Sequence, residues 1–345
     1  MSVMDLEQNT EEIVWTRTGA PIAERLTIGV AYVILAMIFL ILQISILIVF
    51  LKYKDYRCNI CYRIMTAISI ADSTQLLIHV YGGFITIFNT SFSALAEKIL
   101  GGISNSICIT LLPFGFILAL NRLMVFKRQG LEPSTEGILF NSLIFLSCLW
   151  GFGFLCTYMT PYCGIAFRDY AWNYDETLVW TEKVQFVDEM TTIPMLGGTF
   201  VIYLVVLVVL VINRHETRKV TGNQTFQPSY KFLSPVELRL LLQSLVHFLM
   251  CASLLLVWHL QFAILPESPY SIAAVNYHWI LYNGTNPLLY LSMNSSIRRR
   301  VLTLWGKRRP DGFLFTQSGV NTIGDKSTNH LFFSTAQSRP RTAMP

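Results

Sequence analysis

Residues 282–290, Tyr-Asn-Gly-Thr-Asn-Pro-Leu-Leu-Tyr, say most about the fold, because they place polar and helix-breaking residues inside an apolar stretch. Lipid tolerates such a cluster only where neighbouring helices satisfy the freed backbone groups. Asn283 and Asn286 are three residues apart and therefore share one helix face. The stretch predicts that the last apolar helix of the chain packs against other helices within a membrane.

The composition agrees with a membrane protein. Hydrophobic residues make up 53% of the chain and charged residues 14%, and the mean hydropathy is +0.48. Seven nearly charge-free runs have the roughly 20 residues that cross ~30 Å of hydrocarbon. They lie at 26–51, 62–88, 99–126, 138–158, 190–212, 238–265 and 269–293. We therefore expect an all-α membrane protein with a bundle of seven helices.

The basic residues predict the orientation of this bundle. With the N-terminus outside, 21 of the 26 Lys and Arg residues fall in the inner segments 52–63, 122–136, 213–239 and 298–345. Because cytoplasmic loops are rich in Lys and Arg, we expect residues 1–25 to be extracellular. The polar residues 306–345 are expected to form a disordered cytoplasmic tail. The net charge of +5 then belongs mostly to a cytoplasmic surface, and nucleic acid is not an expected partner.

Two charged residues within the runs are candidate functional groups. Asp72 is the only carboxylate in the seven runs and lies ~15 Å along the second one, with Asn283 and Asn286 as expected partners. Intramembrane acids are commonly functional, but a protonated Asp that only holds helices together is the alternative. Arg122 is the only base in the third run, near its inner end. It is either functional or an ordinary arginine that extends to the interface.

Together these features resemble a rhodopsin-like G-protein-coupled receptor. The resemblance covers residues 26–305 and includes Asp72, the Asn121-Arg122 pair, Trp150 and the Asn-Pro-Leu-Leu-Tyr run at 286–290. Residues 294–305 resemble the membrane-surface helix that follows the bundle, with Ile297, Val301, Leu304 and Trp305 on one face. The pieces Cys-Tyr-Arg-Ile-Met at 61–65 and Ile-Ala-Asp at 70–72 are similar to nematode serpentine chemoreceptors, with class T the nearest.

The resemblance implies a sensory receptor in the plasma membrane, with a sensory cilium as one expected site, that binds a small molecule and activates a heterotrimeric G protein without a cofactor. It implies that Arg122 lies at the floor of the cytoplasmic cleft that receives the G protein. The residues that would carry the switch are Asp72, Asn121, Arg122, Tyr203, Asn283, Asn286, Pro287 and Tyr290.

The sequence departs from the receptor pattern at several positions. Asn121 replaces the acid that usually precedes the arginine, so a charged lock between these neighbours is not expected. Glu97 occupies the position of the usual third-span cysteine, which leaves Cys163 without an evident partner. Leu111 replaces the polar residue of the usual sodium site, and no proline follows Cys251 in the sixth run.

The expected ligand is small and neutral. Ser104 stands where amine receptors have a carboxylate on the third span, and Ile280 stands where opsins have lysine, so these positions argue against both classes. Aromatic and polar residues in the outer halves suit an apolar ligand, although such residues often only anchor a helix at the interface. The candidates are Tyr81, Ser104, Trp258, His259, Phe262, Tyr277 and His278. The acidic second outer loop at 161–189 allows a basic peptide as an alternative.

The remaining motifs add one modification site and exclude an enzyme. Asn89 begins an outer Asn-Thr-Ser glycosylation sequon. Cys58 and Cys61 have no second pair of ligands nearby, which argues against structural zinc. The sequence contains no nucleophile–base set and no phosphate-binding glycine loop. Two alternatives remain. One is a transporter or channel, and the other is a receptor-like trafficking partner that does not couple to a G protein.

Overall fold

The structure is a computed structural model that describes residues 20–127, 132–221, 235–264, 266 and 268–306. Within the helices, the side chains at 133, 213–221, 235–237, 240, 261–264 and 269 are outside this description. Residues 1–19, which the sequence predicts to be extracellular, and the tail from 307 onward also lie outside it.

The described residues form nine helices and one β-hairpin. The helices are α1 (Ile22–Lys52), α2 (Lys54–Arg57), α3 (Ile60–Phe88), α4 (Ala94–Lys127), α5 (Pro133–Tyr158), α6 (Thr181–Thr221), α7 (Pro235–Ile264), α8 (Pro269–Met293) and α9 (Ser295–Leu304). Strands β1 (Ile165–Arg168) and β2 (Ala171–Tyr174) lie between α5 and α6. Seven of the helices, α1 and α3 to α8, correspond to the seven predicted runs.

Helix length and apolar composition explain why these segments cross a membrane. Five of them, α1, α4, α5, α6 and α7, are long and apolar enough to do so by composition alone. Helices α3 and α8 have 29 and 25 residues, which also suffices, but they carry more polar side chains. Those side chains are buried inside the bundle, among them Asp72, Gln75, His79, Asn276, Asn283 and Asn286.

Small residues allow α1 and α3 to pack closely. A Cβ atom at Gly29 would lie 2.8 Å from the carbonyl oxygen of Gly83, and one at Gly83 would lie 3.0 Å from that of Gly29. Close backbone approach at small residues is a common basis of helix packing in membranes. Helix α4 packs against α3, α5, α6 and α7 and lies at the centre of the bundle.

The fifth membrane helix is longer than the sequence predicted. The sequence places the fifth apolar run at 190–212, so the helix was expected to begin near 190. Instead, α6 is continuous from Thr181 to Thr221 and contains Pro194 in its interior. Membrane helices tolerate an internal proline because nearby groups compensate the lost hydrogen bond. As a consequence, Asp188 and Glu189 belong to the bundle and not to the second outer loop.

The β-hairpin covers one end of the bundle, which we call the outer end because the basic residues predict that it faces outward. Its strands pair antiparallel with Ile165 opposite Tyr174. The two turn residues, Asp169 and Tyr170, have φ angles of 48° and 74°, as a two-residue type I′ turn requires. The Tyr32 hydroxyl of α1 donates to the carbonyl oxygen of Tyr170 at 3.0 Å.

A carboxylate ties the hairpin to α4. The Glu97 carboxylate accepts a hydrogen bond of 2.7 Å from the backbone N–H of Phe167 in β1. Glu97 is the residue at the position of the usual cysteine, and Cys163 is a free, buried thiol. A hydrogen bond therefore joins these two elements here, where the resemblance would place a disulfide.

Helix α9 has the predicted amphipathic character. Ile297 and Val301 are buried against the bundle, and the Trp305 indole donates to the Ser45 hydroxyl at 3.2 Å. On its polar side Arg300 pairs with Asp55 of α2 at 2.9 Å. The hydrogen bond from Arg300 lowers the pKa of the Asp55 carboxyl below its usual value.

Candidate functional site

The inner half of the bundle contains a buried carboxylate that joins three helices. Asp72 of α3 is fully buried, and its Oδ2 accepts a hydrogen bond of 2.7 Å from the Asn286 amide of α8. The same oxygen accepts a second one, at 3.2 Å, from the Gln43 amide of α1. Asp72 thus connects α1, α3 and α8 directly.

Of the two expected partners of Asp72, only Asn286 bonds to it. The Asn283 amide is fully buried and finds no hydrogen-bond partner among the described residues, and neither does the second Asp72 oxygen, Oδ1. Sequence reasoning missed Gln43. The available signal was its amide side chain within 31 otherwise mostly apolar residues of α1.

Residues 282–290 of α8 pack closely against α1. A Cβ atom at Gly284 would overlap the ring of Phe39 in α1, so glycine allows the two helices to approach here. Pro287 lies inside α8, which continues to Met293. Tyr290 is buried and packs edge-on against Phe50 of α1, with 5.6 Å between the ring centroids.

Arg122 is buried at the inner end of α4 and does not extend to the surface. Its guanidinium donates to the Cys61 sulfur of α3 at 2.7 Å. Asn121 is also buried, and its carbonyl oxygen has no partner within the described part of the chain. The described contact of Arg122 is therefore with a thiol on a neighbouring helix. Tyr203 of α6 is buried beside Phe248, with 5.4 Å between ring centroids.

A narrow cavity of about 30 Å³ lies between α4, α6, α7 and α8 in the outer half. Trp258 and His259, both predicted ligand contacts, line it. The other lining residues are Asn105, Cys108, Ile109, Leu112, Asp188, Thr192, Leu254, Leu255 and Trp279. This volume holds a group the size of a water molecule, so an organic ligand fits only if the lining residues move.

The other predicted ligand contacts lie elsewhere. Tyr277 donates to the Ile28 carbonyl oxygen of α1, and His278 contacts the Ser253 hydroxyl. Ser104 is fully buried, and its backbone carbonyl oxygen accepts a hydrogen bond from the Gln75 amide. Tyr81 donates to the Ser91 carbonyl oxygen, beside the sequon that begins at Asn89, the residue directly after α3. The Phe262 side chain lies outside the described residues.

A polar network connects the cavity to the hairpin. The Tyr174 hydroxyl of β2 donates to the Asp188 carboxylate at 2.8 Å. The Asn105 amide donates to the hydroxyls of Tyr158, at 2.7 Å, and Tyr174, at 3.1 Å. Sequence reasoning missed Asp188 because it assigned that position to the outer loop.

A larger groove of about 750 Å³ lies between α5 and α6. Its lining includes Leu149, Trp150 and Val187, which are exposed on the outside of the bundle. In a membrane this surface faces lipid tails, so we regard the groove as a site of lipid contact and not as the ligand pocket. Among the described residues, no group of three or more His, Cys, Asp and Glu side chains is placed to hold a metal ion.

The bundle and its inner polar contacts define the fold of a rhodopsin-like receptor. The crystal structure of squid rhodopsin matches with a TM-score of 0.64 at 15% identity, covering 83% of this chain and 87% of that one. The family model of the serpentine type seven-transmembrane G-protein-coupled chemoreceptors Srt matches residues 9–311. The chain therefore belongs to the Srt chemoreceptor family, as the motifs predicted. No curated protein matches the chain.

Proposed function

We propose that this chemoreceptor binds a small organic ligand in its outer half and activates a heterotrimeric G protein at its cytoplasmic face. The observation that carries the proposal is the bond of Asp72 to both Asn286 and Gln43. A movement of α8 relative to α1 or α3 must break or exchange a hydrogen bond on this carboxylate. The three helices are therefore coupled at a point between the two faces of the membrane.

The cytoplasmic side offers a surface for coupling. Arg122 is held by the Cys61 sulfur, and a thiol is a weak acceptor compared with a carboxylate. Little free energy is then needed to release the guanidinium towards an incoming G protein. We infer that the receptor has basal activity for this reason, since no acid precedes Arg122.

The ligand pocket is the cavity lined by Trp258 and His259. Ligand sites of helix bundles commonly lie between helices and combine apolar walls with a few polar groups. The expectation of a neutral ligand rested on Ser104, on Ile280 and on the aromatic and polar residues of the outer halves, and it did not include Asp188. Entry of a ligand requires the helices or the hairpin to separate, because the described cavity is small.

The orientation of the bundle in the membrane is inferred from the distribution of Lys and Arg. The N-terminus is extracellular, Asn89 is available for glycosylation and the tail from 306 is cytoplasmic. The receptor then belongs in the plasma membrane of a sensory cell, with the cilium as the expected site.

Nucleotide exchange tests this function without knowledge of the ligand. Membranes that contain the full chain should accelerate exchange on at least one class of heterotrimeric G protein, compared with membranes that lack it. If membranes with and without the chain gave the same exchange for every G-protein class, coupling would be contradicted and a trafficking partner would be favoured. A ligand-independent ion current through the chain would instead favour a channel.

A further inference from the structure

The Asp188 carboxylate lines the outer cavity, where His259 is close enough to act on its charge. It accepts hydrogen bonds from the neutral hydroxyls of Tyr174, at 2.8 Å, and Thr192, at 3.0 Å. Within the described residues no basic side chain forms an ion pair with it. The neighbouring His259 lies 3.5 Å from a different carboxylate, that of Glu189. Acids inside a membrane helix are costly and often serve as counter-ions of ligands.

A second acceptor lines the same cavity. Asn105 is only 7% exposed, and its amide nitrogen is fixed by the hydroxyls of Tyr158 and Tyr174. Its carbonyl oxygen has no hydrogen-bond partner among the described residues. A ligand that supplies a donor to this oxygen gains a hydrogen bond, so such a ligand is favoured here.

Aromatic rings complete the environment. Trp258 and Trp279 line the cavity with ring centroids 5.4 Å apart and planes at 89°. Indole faces attract cations within about 6 Å of the ring centroid. The cavity thus offers a carboxylate, a free carbonyl oxygen and π faces, and each of these favours positive charge or hydrogen-bond donors.

We propose that the ligand is a small organic cation, a protonated amine whose ammonium group binds Asp188 and donates a further hydrogen bond to Asn105. This inference rests on the proposed receptor function. An ammonium group has three donors and no acceptor, which complements this pair of acceptors. The sequence argument against amines considered only Ser104 on the third span, whereas here the carboxylate comes from α6.

The same contact links binding to the hairpin. The Tyr174 hydroxyl already donates to Asp188 Oδ2 at 2.8 Å. An ammonium group on this carboxylate therefore competes with that hydroxyl. Since Tyr174 belongs to β2, binding releases one of the contacts that hold the hairpin against α6.

The test uses cells that express the full chain, a G-protein activation reporter and small aliphatic and aromatic amines, each paired with the alcohol of the same carbon skeleton. At least one amine should activate at a concentration where its alcohol does not. Asp188→Asn should raise the half-maximal concentration of that amine roughly tenfold to a hundredfold, the loss expected for a charge-assisted hydrogen bond. Asp188→Glu should retain part of the response.

Glu182→Gln is the matched control, because Glu182 is an exposed acid of the first turn of the same helix; it should leave the amine response unchanged. An alcohol as potent as its amine, an Asp188→Asn variant with unchanged potency, or no amine response at all would overturn the inference. Should Asp188→Asn fail to reach the surface, the amine–alcohol comparison on the unchanged receptor decides. Basal G-protein activation shows separately whether the receptor function stands.

Discussion

Replacing Gly284 by alanine tests how residues 282–290 pack against the first membrane helix. The added methyl would overlap three ring carbons of Phe39, which is itself buried. Overpacking a well-filled core costs about 1–3 kcal/mol. We expect Gly284→Ala to lower the free energy of unfolding in detergent by that amount, measured by titration with denaturing detergent.

Two comparisons separate this overlap from other effects of alanine. A Cβ atom at Gly153 of α5 would meet no other atom within 4 Å, so Gly153→Ala should be neutral or stabilise by up to about 1 kcal/mol through helix propensity. In a Phe39→Ala background the ring is gone, and Gly284→Ala should then cost nothing, a coupling of about 1–3 kcal/mol. If Gly284→Ala behaves like Gly153→Ala in the unchanged background, the close contact between α1 and α8 is refuted.

Three further predictions concern the switch and the topology. Asp72→Asn should keep surface expression but alter basal and ligand-induced nucleotide exchange, because the amide still bonds to its neighbours while the charge is lost. Gln43→Leu should alter basal and ligand-induced exchange as well. Unchanged signalling of both variants would make Asp72 purely structural. Asn121→Asp should lower basal exchange, by about tenfold or less, as a carboxylate can hold the adjacent Arg122; equal or higher basal exchange at matched surface level would contradict this. On intact cells an antibody should reach an N-terminal tag and not a C-terminal one, and staining of the C-terminal tag would overturn the orientation.

The fold could be predicted from the sequence for physical reasons, and so could Asn286, one of the two residues that bond to Asp72. Charge-free runs of sufficient length predict helices, since lipid leaves the backbone few other options. The pairing of Asp72 with Asn286 followed from the cost of burying polar groups in a membrane. The spacing of Ile297 and Val301 predicted the amphipathic helix α9, because both positions fall on one helical face.

Contacts between distant segments could not be predicted in the same way. Gln43 lies in a predicted apolar run, but which helix it would face depends on the packing of α1. The fifth membrane helix was expected to begin near 190, whereas α6 begins at Thr181, so Asp188 was assigned to the outer loop. The turn at Asp169 and Tyr170 lacks the Asn-Gly pair that usually signals a type I′ turn, so the hairpin was not predicted.

Arg122 is the residue on which the proposed coupling to a G protein depends most. Nucleotide exchange by Arg122→Ala should be measured beside the unchanged receptor, at surface levels matched through an N-terminal tag. We expect basal and ligand-induced exchange to fall to the level of membranes without receptor, while ligand binding in the outer half is retained. Full exchange by Arg122→Ala would contradict the proposed coupling and would leave Arg122 as a buried structural arginine.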